Sequence, residues 1–271
     1  MEIVLHRDPA AFEAAAGRLL AADPVGNTVA LTVLDAMLRS AAPAALLLTA
    51  HRGGEVVAAA VQTPGHPVIL SAVPPEHAGA VAVAIPDVAA VNGPVETVEA
   101  FASGRAVHIG RATRLFALDT LVPPTDVPGK ARAATQDDLD LLARWRAAFG
   151  VDIDEPFGTI EEARRHAESS LALGGAELLW EVDGGPVAQA TAKPVVAGVS
   201  RIGPVYTPPE RRGHGYASAV TAAAARHALD AGATDVVLFT DLDNGTTNRI
   251  YPRIGFRPLA DSVVARFSTP G

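Results

Sequence analysis

The triplet Pro-Pro-Glu occurs twice, at 74–76 and at 208–210, each time between a strand-like apolar run and an alanine-rich one. The longer stretches "VPPEHAGAVA" (73–82) and "TPPERRGHGY" (207–216) also share a glycine, Gly79 and Gly213. Upstream, "RGGEVVAAAV" (52–61) and "DGGPVAQATA" (183–192) echo each other in the same order. Two matches in one order, both about 130 residues apart, indicate a duplicated unit and restrict the fold to something that such a length can close twice. Between the copies lies "LVPPTDVPGK" (121–130), whose three prolines and glycine read as a linker. The expected division is a first domain over 1–120, a proline-rich linker over 121–129 and a second domain over 130–271.

Periodicity gives both halves the same coarse order. In the second, 131–134 reads as a strand, and Thr135 with Asp138 opens a helix carrying Leu139, Leu142, Trp145 and Phe149 at helical spacing. A Thr-x-x-Glu box, Thr159 to Glu162, starts another helix that Gly174-Gly175 stops. "AELLWEVDGGPVAQATA" is a hairpin about Asp-Gly-Gly. The strand "SRIGPVYT", a glycine loop, a helix to Ala231, the strand "DVVLFT", the short helix "TNRIYPRIG" and a closing strand near 263–267 follow. In the first half, Asp8-Pro9 starts a helix, Leu31, Leu34 and Leu38 mark a second, and "AALLLTAHRGGEVVAAAVQ" gives the hairpin before strand "PVILSAV". The class is α/β.

Composition narrows the function. The 271 residues are 49% hydrophobic without a run long enough to span a bilayer, so a membrane role is not expected. The opening "MEIVLHRDPAAFEAAAG" lacks a basic segment followed by a continuous apolar core, so no secretory signal is expected. A net charge of −8 disfavours nucleic acid, whose phosphates need a basic face. Absent cysteine removes disulfides, thiolate nucleophiles and the commonest zinc sites, and fits a cytoplasmic location. The eight histidines show no metal-ligand spacing, so no metal is expected.

The stretch "YTPPERRGHGYASAV" (206–220) reads strand, tight loop, helix, which is a natural cradle for phosphate. A Walker loop needs Gly-Lys-Ser or Gly-Lys-Thr, and neither occurs. A Rossmann fingerprint needs a third glycine where Ser218 stands, and tolerates no Pro208-Pro209 before the loop. Arg212-Gly213-His214-Gly215-Tyr216-Ala217 instead resembles the Arg/Gln-x-x-Gly-x-Gly/Ala signature of the GNAT N-acetyltransferase superfamily. "DLDNGTTNRIYPRIGFRP" resembles that family's later segment, with Asn244, Tyr251, Gly255 and Phe256 on its positions in order. The resemblance spans about 200–267 and extends plausibly from Lys130. It implies tandem GNAT-like domains, each a mixed, mostly antiparallel sheet flanked by helices, with acetyl-CoA as the acyl donor.

The residues support that role in their own right. Gly213 and Gly215 let main-chain N–H groups converge with no Cβ in the way, and the helix start adds its unsatisfied amides. Arg212 supplies a charged fork, Ala217 and Ser218 keep the first turn slim, and His214 and Tyr216 complete the loop. By the resemblance, Val205, Tyr206 and Thr207 offer backbone groups to the pantetheine arm. Asn244, and less so Asn248, contacts the cofactor or forms the turn. Tyr251 falls on the general acid, a phenol that donates to the departing thiolate, or else anchors the helix. The general base stays open among Asp152, Asp154, Glu155, Asp241 with Asp243, and water; the acidic loop around 152–155 either attracts an amine or is simply solvated. The first half carries Ala78, Val81 and Val83 where the second has Arg212, Gly215 and Ala217, so it is expected to be non-catalytic, its valines crowding any diphosphate.

The function expected is transfer of an acetyl group to a primary amine of a small molecule or protein, by direct attack on the thioester, in a monomer or homodimer. A non-catalytic acyl-CoA sensor or scaffold, and an enzyme using a longer acyl-CoA, are the alternatives.

Overall fold

The computed structural model describes residues 1–40, 43–153 and 159–267. The same element order, β-α-α-β-β-β-α-β-α-β, runs through the chain twice. First come β1 (Glu2–Leu5), α1 (Pro9–Ala22), α2 (Thr28–Ser40), β2 (Leu46–Arg52), β3 (Glu55–Gln62), β4 (Val68–Ala72), α3 (Pro75–Ala84), β5 (Ala90–Pro94), α4 (Val95–Ala102) and β6 (Val107–Leu118). Then follow β7 (Lys130–Ala133), α5 (Leu139–Asp152), α6 (Ile160–Ala172), β8 (Ala176–Val182), β9 (Gly185–Ala192), β10 (Val199–Tyr206), α7 (Tyr216–Asp230), β11 (Asp235–Asp241), α8 (Thr247–Arg253) and β12 (Phe256–Phe267). Sheet pairing repeats as well. The run β1-β2-β3-β4 is antiparallel with β4 parallel to β5, and β7-β8-β9-β10 is antiparallel with β10 parallel to β11.

Two compact units emerge. The first holds Met1–Leu115, Thr240–Asp243 and the chain from Leu259 onward; the second holds Phe116–Phe239 and Asn244–Pro258. In the first, Ser262–Arg266 of β12 pair antiparallel with Ala90–Pro94 of β5. Val263 and Ala265 thereby join the core of Leu48, Leu70, Val91, Val98 and Phe101. Alternation explains their place, since residues two apart on a strand share a face.

The second unit is built on small residues. Ala188, Ala190 and Ala192 on β9 and Ala224, Ala225 and Ala228 on α7 are all essentially buried, so helix and sheet approach closely. The other face of the same strands is polar. Arg146 of α5 donates to Glu177 of β8 at 2.8 Å, and Thr191 of β9 donates to the same carboxylate at 2.6 Å, all three buried. A charge pair this dry stands because each carboxylate oxygen has a donor.

Local signals act where the sequence puts them. Asp8 accepts from the amides of Ala10 and Ala11 at the start of α1, and Thr159 and Glu162 cap α6 reciprocally. Thr135 and Asp138 form a second box ahead of α5. The segment 121–129 lies within the second unit: Val127 packs against its core, and the Trp180 indole donates to the Pro128 carbonyl at 2.9 Å. Three strands escape the periodic reading, β1, β5 and β6, and α4 lies where the sequence shows only an irregular run. Among the described residues, no helix is long and apolar enough to cross a membrane.

Candidate active site

The site grows from the junction of β10 and α7. Paired with β9, β10 continues to Tyr206 opposite Gln189, with a register shift between Ile202 and Val205. Paired with β11, it stops at Ile202 opposite Leu238. From Gly203 to Tyr206, therefore, one edge of β10 is without a ladder partner among the described residues. Val205 and Tyr206 lie on that open stretch. Thr207 follows it, its carbonyl already accepting from Arg212 Nε at 3.0 Å.

After Tyr206, the pair Pro208-Pro209 sets a single 3-10 turn over Pro209–Arg211, because proline fixes φ and offers no amide. Gly213 and Gly215 then take left-handed backbone, at φ 84° and 80°, and α7 begins at Tyr216. A side chain is strained at either position. At Gly215 a Cβ would also press on Val127 Cγ2, 2.8 Å away. The amides of Arg211 and Arg212 are bonded within the turn, and that of Ala219 is the first to bond within the helix, to the Gly215 carbonyl. The six amides between, from Gly213 to Ser218, have no protein acceptor among the described residues. Gly213, His214 and Gly215 are exposed, Ala217 and Ser218 half-buried and Tyr216 buried. Six unpaired N–H groups at the start of a fifteen-residue helix put their partial positive charge together with that of the helix dipole.

The remaining candidates are placed as follows. Arg212, half exposed, is ion-paired with Asp152 at the end of α5. His214 stacks on Tyr216 at 5.4 Å between ring centres, and Tyr216 is itself buried. Ala217 and Ser218 occupy the first turn of α7. The Asn244 side chain accepts from the amides of Thr246 and Thr247 at 3.2 and 3.1 Å, so it caps the start of α8; the Asn248 amide bonds back to the Asn244 carbonyl. Tyr251 sits on α8 with its ring edge-on to Phe116 and Phe256, 6.1 and 6.2 Å away. Burial pushes its phenol up to about 12, and the hydroxyl has no hydrogen-bond partner among the described residues.

Of the carboxylates considered as bases, Asp152 is held by Arg212, and Asp241 accepts from Arg111 Nε at 3.0 Å within the first unit. Asp243 belongs to that unit too. Asp154 and Glu155 lie outside the described residues. Sequence reasoning missed the buried polar face beside the open stretch of β10. Gln189, opposite Tyr206, is fully buried with neither amide atom partnered among the described residues, and Lys193 is lowered to about 8 by burial and then by Arg146 and Arg201. Alternation on β9 was the available signal, since Gln189, Thr191 and Lys193 share one face. Among the described residues no group of three or more His, Asp or Glu is placed to hold a metal.

In the first unit the corresponding junction differs. Helix α3 starts at Pro75 immediately after Pro74, leaving no glycine loop. Ala78 and Val81 are buried in the core and Val83 is 81% exposed. What sets this junction apart is therefore the missing glycine loop rather than crowding by the valines.

Comparison with known proteins gives a consistent result. Residues 140–256 match the Acetyltransferase (GNAT) family. A mycothiol acetyltransferase from Arthrobacter sp. (strain FB24) is 33% identical over 53% of this chain. The match takes in 47% of that protein, so the chain spans about half the length of this curated relative. Among solved structures, an acetyltransferase of the GNAT family from Colwellia psychrerythraea superposes with a TM-score of 0.65 at 13% identity, covering 99% of this chain and 100% of that one. A tandem GNAT protein from the clavulanic acid biosynthesis pathway gives 0.61 at 14%, covering 100% and 99%. These structures share the fold.

Proposed function

We propose that this chain, a member of the GNAT acetyltransferase family through residues 140–256, transfers an acetyl group from acetyl-CoA to a primary amine through its second unit. The observation that carries the reading is the run of six unpaired amides from Gly213 to Ser218, next to the open edge of β10. A diphosphate accepts many hydrogen bonds and carries the charge that a helix start favours. The open edge at Val205, Tyr206 and Thr207 suits an amide-containing arm, which adds to a sheet edge as an extra strand does. Arg212 would exchange Asp152 for phosphate, and His214 and Tyr216 flank the loop.

In this reaction the neutral amine attacks the thioester carbonyl carbon, the nitrogen gives up a proton to solvent water, the C–S bond breaks, and the departing thiolate takes up a proton. We assign that proton to Tyr251. Burial keeps the phenol protonated throughout the working range, and the same dry surroundings raise the thiolate's own affinity for a proton. An unpaired N–H on β10 would steady the oxyanion. Asn244 acts by holding the start of α8, and so the placement of Tyr251. The acceptor is an amine of a small molecule or a protein. The lack of cysteine suits the reducing cytoplasm.

Ser218→Asp tests the cradle. An acidic side chain in the first turn of α7 favours the helix yet repels a diphosphate. By calorimetry the variant should bind acetyl-CoA at least about tenfold more weakly, with unchanged melting temperature. Undiminished affinity would remove the diphosphate from this helix start.

A further inference from the structure

We infer that the first unit has a binding site of its own, for a small primary ammonium carried on an apolar body, where β4 and β5 part. This goes beyond the acetyl-transfer reading and does not depend on it. The parallel pairing of these strands covers Val68 and Ile69 against Val91 and Asn92. Beyond it opens a cavity of about 630 Å³, lined by the end of α1, the end of β4, the first turn of α4 and Asp261. Its size is that of a small-molecule site.

The chemistry of the lining is one-sided. Asp23, Glu96 and Asp261 line the cavity, and among the described residues no lysine, arginine or histidine does. Arg114 neutralises Asp261 through two hydrogen bonds of 2.6 and 2.8 Å. Among the described residues the Asp23 carboxylate accepts from the Gly26 amide alone and the Glu96 carboxylate has no partner, so negative charge remains in excess. The start of α4 would by itself draw an anion, but Glu96 in its first turn already supplies the negative charge.

An independent observation points the same way. Asn27 lines the cavity and is only 5% exposed. Its Nδ2 donates to the Leu20 carbonyl at 3.2 Å, while Oδ1 has no donor. Ser71 Oγ, also in the lining, is likewise without a partner. A buried acceptor without a donor is costly, and an ammonium brings three N–H groups. Leu19, Val73 and Val95 supply apolar wall for the rest of the ligand. Acyl-CoA does not fit this place, because α3 starts on a proline with Glu76 in its first turn.

Titration of the full chain with phenethylammonium, 2-phenylethanol and 3-phenylpropionate tests the site. The ammonium should bind at least about tenfold more tightly than either of the others, the difference expected from a charge-assisted hydrogen bond. The exposed Glu96→Gln should weaken it about tenfold while leaving acetyl-CoA affinity and melting temperature unchanged. Crystals soaked with 4-bromophenethylammonium should show the bromine between Leu19 and Val95. Equal binding of the three probes, no loss in Glu96→Gln, or bromine located elsewhere would each overturn the proposal. Ser218→Asp should leave ammonium binding intact, which separates this site's failure from that of the cradle.

Discussion

Tyr251 lies in an aromatic cage with Phe116 and Phe256, and that packing has two consequences. It fixes the ring's direction, and it lifts the phenol to about 12, so the hydroxyl keeps its proton at every pH near neutrality. Tyr251→Phe keeps the cage and removes only the hydroxyl. Turnover should fall about 100-fold with acetyl-CoA affinity unchanged. In the wild type, the alkaline limb attributable to this group should appear only above about pH 10, since the acid is lost as pH rises towards its raised value. Wild-type rates in the variant would hand the proton to water. Gly255 illustrates a different constraint at the same scale. At φ 101°, any Cβ there would run into the Thr120 carbonyl, and the Gly255 carbonyl accepts from the Asp119 amide at 3.0 Å. Gly255→Ala should cost about 3 kcal/mol in urea unfolding, and a loss below about 1 kcal/mol would show that the backbone can yield.

At the scale of elements, caps and turns were legible and edge strands were not. Asp8-Pro9, Thr135 to Asp138 and Thr159 to Glu162 act through bonds between near neighbours, so the sequence displays them directly. The loop before α7 was legible for the same reason, since glycine spacing and the helix start are local. By contrast, β5 is the short run "AVNGP", made a strand by partners at 68–69 and 262–266 that no window around it contains. The ties of Asp152 to Arg212 and Asp241 to Arg111 are equally distant in sequence. Asp138 shows what a local cap gains from such a partner. Its carboxylate accepts from the Thr135 amide and, in two bonds, from Arg132, which hold it down to about 2. A depressed carboxylate contributes stability in full above its unfolded value near 4 and loses it as pH falls through about 2. Asp138→Asn should therefore cost about 2 kcal/mol at pH 6, with the gap to wild type closing towards pH 2. A gap of constant size would mean the charge is not responsible.

Across the whole molecule the element order and pairing repeat, and we regard the two halves as copies of one ancestral unit. The copies diverged at one junction: β4 runs straight into α3 through Pro74-Pro75, while β10 reaches α7 through a 3-10 turn and two left-handed glycines. Among the described residues the second junction leaves six amides in a row without acceptors, and the first does not. The chain's last strand also serves the first unit, where Val263 and Ala265 lie in the core with Val91 and Phe101. Val263→Asp should therefore reduce hydrogen-exchange protection in β4 and β5, far away in sequence. Loss confined to β12 itself would show that the first unit stands without it. Acetyl transfer by the second unit requires a diphosphate held at the start of α7, and a crystal structure of the full chain with acetyl-CoA measures its place directly. The prediction is a diphosphate within hydrogen-bond distance of the amides of 213–218, with the thioester sulfur facing the Tyr251 hydroxyl. A diphosphate bound elsewhere, or a phenol turned away from the sulfur, would contradict it.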